Sequence, residues 1–78
     1  MIKLDLAHLS REDLENAVME RCSQFGSVSQ VVIVQDSANY TFALAAVEMS
    51  TAAEKMAVLR NLGDSLVDDT VVIRIEQQ

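Results

Sequence analysis

The chain has 78 residues, one domain's worth, spanning 1–78, and a chain this short buries only about 60% of the surface its unfolded form exposes. Half of its residues are hydrophobic, enough for a packed core, and its single cysteine, Cys22, excludes an internal disulfide and a cysteine-rich metal site. Twelve acidic residues against six basic ones give a net charge of −6, which removes the basic footprint on which nucleic-acid and anionic-membrane binding depend.

In chain order, "MIKLDLAHL" alternates, with Ile2, Leu4 and Leu6 on one side and Lys3, Asp5 and Ala7 on the other, the pattern of a half-buried strand. Ser10 and Asp13 fit a capping box. Behind it Leu14, Ala17, Val18, Cys22 and Phe25 recur at helical spacing up to a stop at Gly26. "SVSQVVIVQ" reads as a second strand, "DSAN" as a turn and residues 40–49 as a third strand. Thr51 and Glu54 open a second helix through about Leu62, whose inner stripe is expected to be Ala53, Met56, Ala57 and Leu59. "DSLVDD" reads as a loop and "TVVIRIE" as the last strand. The order βαββαβ predicts an α+β, ferredoxin-like fold: a four-stranded antiparallel sheet, order 4-1-3-2, with both helices on one face and the other face open.

The segments "CSQFGSVSQVVIVQD" and "NLGDSLVDDTVVIRI" resemble a helix end with second strand, and a hairpin with last strand, of the RNA recognition motif. "LDLAHLS" takes the place of that family's opening motif, with His8 where Asn is usual. The resemblance covers nearly the whole chain and implies an RNA-reading sheet. The family's octapeptide, Lys/Arg-Gly-aromatic-Gly/Ala-aromatic-Val-x-aromatic, falls on Phe42 to Met49. Ala45 and Val47 match its inward positions. Leu44 and Ala46 stand where aromatic rings would stack on bases, Phe42 where a cation would meet phosphate, and Asp5 at the stacking position of the first strand. Stacking is worth roughly 1–3 kcal/mol per base, so losing two or three such platforms removes on the order of 3–6 kcal/mol.

Period-two alternation places Val32, Val34, Phe42, Leu44 and Val72 on the open face as one apolar patch, rimmed by Lys3, Asp5, Glu48 and Arg74. Soluble monomers seldom leave a large apolar patch bare. Asp5 and Arg74 are expected to pair across strands. Phe42, Tyr40, Lys3 and Arg74 are the candidate residual RNA contacts. Cys22 belongs to the buried stripe of the first helix, His8 is a lone imidazole without a metal-binding companion, and Met49 and Met56 are expected core fillers. No Ser-His-Asp set, phosphate loop or isolated carboxylate pair is present, so neither enzymatic activity nor a cofactor is expected. The longest unbroken apolar run, Phe42 to Val47, is too short to cross a bilayer. With a lone thiol and no signal-peptide pattern, the expected compartment is the cytoplasm. The reading is a binding module that contacts another protein, or a second copy, through its sheet face. Weak or atypical single-stranded RNA binding is the alternative, and a small-ligand sensor at a dimer interface comes third.

Overall fold

The computed structural model describes residues 1–37 and 41–78. Its elements are β1 (Ile2–Leu4), α1 (Arg11–Cys22), β2 (Val28–Gln35), β3 (Phe42–Met49), α2 (Ala52–Asn61), β4 (Ser65–Val67) and β5 (Thr70–Gln77). The fold is α+β, with two helices and a mixed sheet of five strands. The main path of the sheet runs β1-β5-β3-β2, and β4 pairs with β5 beside it. The ladders β2–β3, β3–β5 and β4–β5 are antiparallel, whereas β1–β5 is parallel.

This corrects the expected four-stranded antiparallel sheet of order 4-1-3-2. The last strand is central, and the first lies at an edge. β1 stops at Leu4 because its continuation folds on itself: the Leu6 N–H donates to Leu4 O at 3.0 Å and the His8 N–H to Asp5 O at 3.2 Å. Donors spent on local turns cannot build a ladder. β5 is eight residues long and carries Val71, Ile73 and Ile75 inward, all fully enclosed; β-branched side chains suit such a buried strand. Its other edge is shared: β4 pairs with its first residues, Thr70 to Val72, and β1 with its last, Ile75 to Gln77.

The segment read as a loop, 64–69, is partly strand. Val67 pairs with Thr70 across Asp68 and Asp69, both at positive φ (51° and 65°). Two left-handed residues in a two-residue connection make the tight hairpin turn that matches strand twist, and Asp tolerates that conformation better than most side chains.

The core lies between the helices and one face of the sheet. Ile2, Ile33, Ala43, Ala45, Val47 and the inward side chains of β5 meet Leu14, Val18 and Cys22 of α1 and Val58 of α2. The Ser10 capping box forms as the sequence predicts: the Asp13 N–H donates to Ser10 Oγ at 3.1 Å, and the Ser10 N–H donates to Asp13 Oδ2 at 3.2 Å. The α2 stripe follows the prediction only in part: Leu59 packs against the core and Ala57 is half-buried. Val58 is buried, while Ala53 and Met56 are exposed. Thr51 Oγ1 caps the Glu54 N–H at 3.2 Å, and the Glu54 carboxylate reaches out to accept the Ser27 N–H at 2.7 Å. That anchor fixes the rotation of α2, so Val58, Leu59 and Leu62, rather than Ala53 and Met56, turn to the sheet.

Candidate functional site: the open sheet face

Alternation leaves one face of β2, β3 and β5 without a helix. Cross-strand register brings Val32 opposite Ala46, Ala46 opposite Val72, and Leu44 opposite Arg74. Val32 and Val34 are 39% and 57% exposed, and Phe42, Leu44 and Val72 are half-exposed. The five apolar residues singled out from the sequence therefore stand on one surface. Val34 is the additional residue of a bulge, where the β2–β3 register slips between Ile33 and Gln35; a bulge re-aims side chains and increases local twist.

A shallow groove of about 510 Å³ crosses this face. Leu44, Ala46 and Val72 form its floor, and Val34 lines one side. The β4–β5 hairpin lines the other through Val67, which is 55% exposed, and Thr70. Asp64, Ser65 and Asp68 complete its lining. Val67, Asp64 and Asp68 lie in a segment, 64–69, whose strand of three residues is too short to show alternation in the sequence. The signal that would have found them is the short apolar pair Leu66–Val67 followed by two turn-tolerant aspartates.

The rim differs from expectation. Asp5 lies beyond the end of β1 and does not meet Arg74. Its Oδ2 is 2.7 Å from His8 Nδ1, and the Gln77 amide donates to its Oδ1 at 3.3 Å. The His8 hydrogen bond, then that from Gln77, hold the Asp5 carboxyl below its ordinary range. Arg74 donates instead to Glu76 Oε2 at 2.7 Å, and its guanidinium lies 3.9 Å from the centre of the Phe42 ring, a cation–π geometry. Lys3 is in register with Glu76 at the far edge, and Glu48 is exposed beside Gln30. Tyr40 lies outside the described residues.

The free edge of β2 is partly guarded. Arg11 Nη1 donates to Ile33 O at 3.2 Å, and Arg11 Nη2 is 3.6 Å from Asp36 Oδ2. Cys22 is buried in the core, and burial pushes its thiol up to about 11; a reactive thiol needs exposure and a lowered value. Among the described residues, no group of three or more His, Cys, Asp or Glu is placed to hold a metal ion. No helix among them is long and apolar enough to cross a membrane. No family model, curated protein or solved structure matches the chain.

Proposed function

We propose that this chain is a non-enzymatic binding module whose open sheet face docks another polypeptide. The observation that carries the reading is the continuous apolar groove over Leu44, Ala46 and Val72, walled by the exposed Val34 and Val67. Such a surface gains free energy when covered, roughly 25 cal/mol per Å² of apolar area removed from water. The likeness to RNA recognition motifs belongs to the same proposal: a related scaffold whose reading positions hold aliphatic side chains, and whose strand order has departed from that family's. A polypeptide suits the face better than RNA does. Arg74, the cation best placed to meet a phosphate, already serves Glu76 and Phe42, and the chain carries a net charge of −6. A protein-binding module of this kind acts where its partner is, and the cytoplasm is the proposed compartment.

Backbone amide shifts of the labelled chain test the reading, followed against its own concentration up to about 1 mM (a Kd there corresponds to only about −4 kcal/mol) and against added amphipathic peptides. Residues of β2, β3 and β5 that face the groove are expected to move, and Leu44→Asp is expected to suppress the response while the rest of the spectrum stays native. A face that responds to neither self nor peptide overturns the reading.

A further inference from the structure

We infer that the occupant of the groove is an amphipathic α-helix bearing Lys or Arg beside its apolar stripe, supplied by a partner rather than by a second copy of this chain. This inference rests on the docking reading above.

The groove runs over the face of β3 and β5, not along an edge. β3 is paired on both sides, by β2 and β5, and β5 by β3 on one side and by β4 and β1 on the other. Outside the gap at Ile73 and Arg74, between the β4 and β1 ladders, their backbone groups pair within the plane of the sheet, so a segment lying on the face finds no ladder to join. A buried backbone must satisfy its own polar groups. A helix does so internally and presents anchors at i, i+3, i+4 and i+7, the helix-in-groove mode.

Asp64 and Asp68 line the groove, and among the described residues neither has an ion-pair partner. The nearby cations of the chain are committed: Lys55 Nζ is 2.7 Å from Asp69 Oδ1, and Arg74 Nε is 2.7 Å from Glu76 Oε2. An apolar groove with unbalanced carboxylates fits an apolar stripe flanked by cations. A second copy would bring another Asp64 and Asp68 to the same interface and set one charge of −6 against another, so self-complementarity is poor.

The probe is a capped peptide of about 18 residues, long enough for helix formation, with leucines on one stripe and lysines flanking them. A counterpart carries glutamate for every lysine. Both are titrated into the full labelled chain and into an Asp64→Asn/Asp68→Asn variant. Asn keeps the left-handed turn at position 68, so that variant is expected to fold as the wild type does. The lysine peptide is expected to shift Leu44, Ala46 and Val72, to bind about five- to tenfold more weakly to the double variant, and to weaken as salt rises. The glutamate peptide is expected to bind more weakly than the lysine peptide by at least about tenfold. Equal binding of the two peptides, or an unchanged affinity of the double variant, overturns the charge argument while leaving the docking face standing. Groove shifts that follow only the chain's own concentration make a second copy the occupant and overturn the inference. A groove that responds to neither peptide, nor to concentration, overturns both this inference and the docking reading.

Discussion

Along β5, Val71, Ile73 and Ile75 are completely enclosed, while Val72, Arg74 and Glu76 between them remain half-exposed. β3 repeats the contrast: Ala43, Ala45 and Val47 are enclosed, and Phe42, Leu44 and Ala46 are not. The same two strands thus present one surface to α1 and α2 and another to solvent. The helix-covered surface is closely packed, and a closely packed surface tolerates little change. The open surface is aliphatic without being covered. Its residues contribute to stability mainly by lying against their sheet neighbours, which leaves their outer faces available for a partner.

Opposite responses to substitution are the sharpest form of that difference. Ile73→Ala, in the middle of the enclosed side of β5, is expected to cost about 2–5 kcal/mol, measured by urea unfolding. In a domain of this size that approaches the total stability. Leu44→Asp, on the half-exposed side of β3, is expected to stay within about 1 kcal/mol of the wild type. If Leu44→Asp unfolds the chain and Ile73→Ala does not, the assignment of the two faces is inverted.

A loop on the helix-covered side gives the next effect. Gly26 has φ +151°, and a Cβ built on it would meet the Glu54 carboxylate. This is the turn through which Glu54 grips Ser27, and through which α2 is held to the end of α1. Gly26→Ala combines a disfavoured backbone conformation with displacement of that carboxylate. The expected cost is about 1–3 kcal/mol, again by urea unfolding. An unchanged midpoint would show that the Glu54 anchor does not fix the turn.

The two faces were not equally legible in the sequence. Alternation assigned Val32, Val34, Phe42, Leu44 and Val72 to one surface, because period two is a local property of any strand. It could not say which strands are neighbours. The exchange of β1 and β5 depends on where β1 stops, which is decided by the turn bonds of Leu6 and His8 rather than by hydrophobic pattern. Asp5 illustrates the consequence: an antiparallel neighbour would set it near Arg74, but β1 runs parallel to β5 from Ile2 opposite Ile75 to Leu4 opposite Gln77, and Asp5 lies beyond that ladder. Ala53 and Met56 depart from the expected α2 stripe for a related reason. "AAEKMAVLRN" offers apolar residues around most of the helix, and the rotation is set by the distant Glu54–Ser27 contact. Val67 and the groove aspartates belong to a hairpin too short to produce a periodic signal.

Thiol reactivity compares the enclosed side with solvent directly. Burial pushes the Cys22 thiol up to about 11, so at pH 8 almost none is present as thiolate. A colourless-to-yellow disulfide reagent is expected to react with native protein only as fast as the chain opens, and promptly in urea. Stoichiometric release of colour from native protein within seconds would place Cys22 outside the core.

The smallest expected effect is the pH dependence carried by Glu54. The Ser27 N–H first, and the Thr51 hydroxyl second, stabilise its carboxylate, which lowers its value in the folded chain from the ordinary 4.5. A carboxyl with a lower value folded than unfolded binds fewer protons in the native state through that window. Its contribution to stability is therefore fully present above the unfolded value and is lost as pH falls through the folded one. Asp5, lowered chiefly by His8 and then by Gln77, acts in the same direction from an ordinary value of 3.8. Stability is thus expected to fall as pH drops below the ordinary carboxylate range. Glu54→Gln keeps an acceptor for the Ser27 N–H but cannot titrate. It is expected to lower the urea midpoint at pH 7 and to make the acid decline shallower, the two curves converging at low pH. Glu54 lies at the exposed margin of the helix-covered side, where it sets the rotation of α2, and Asp5 at the edge of the open one. Asp5→Asn is therefore expected to flatten the acid decline while leaving the α2 signals in place, whereas Glu54→Gln shifts them. Parallel acid curves for Glu54→Gln and the wild type would mean that the contact with Ser27 does not hold α2 against the sheet.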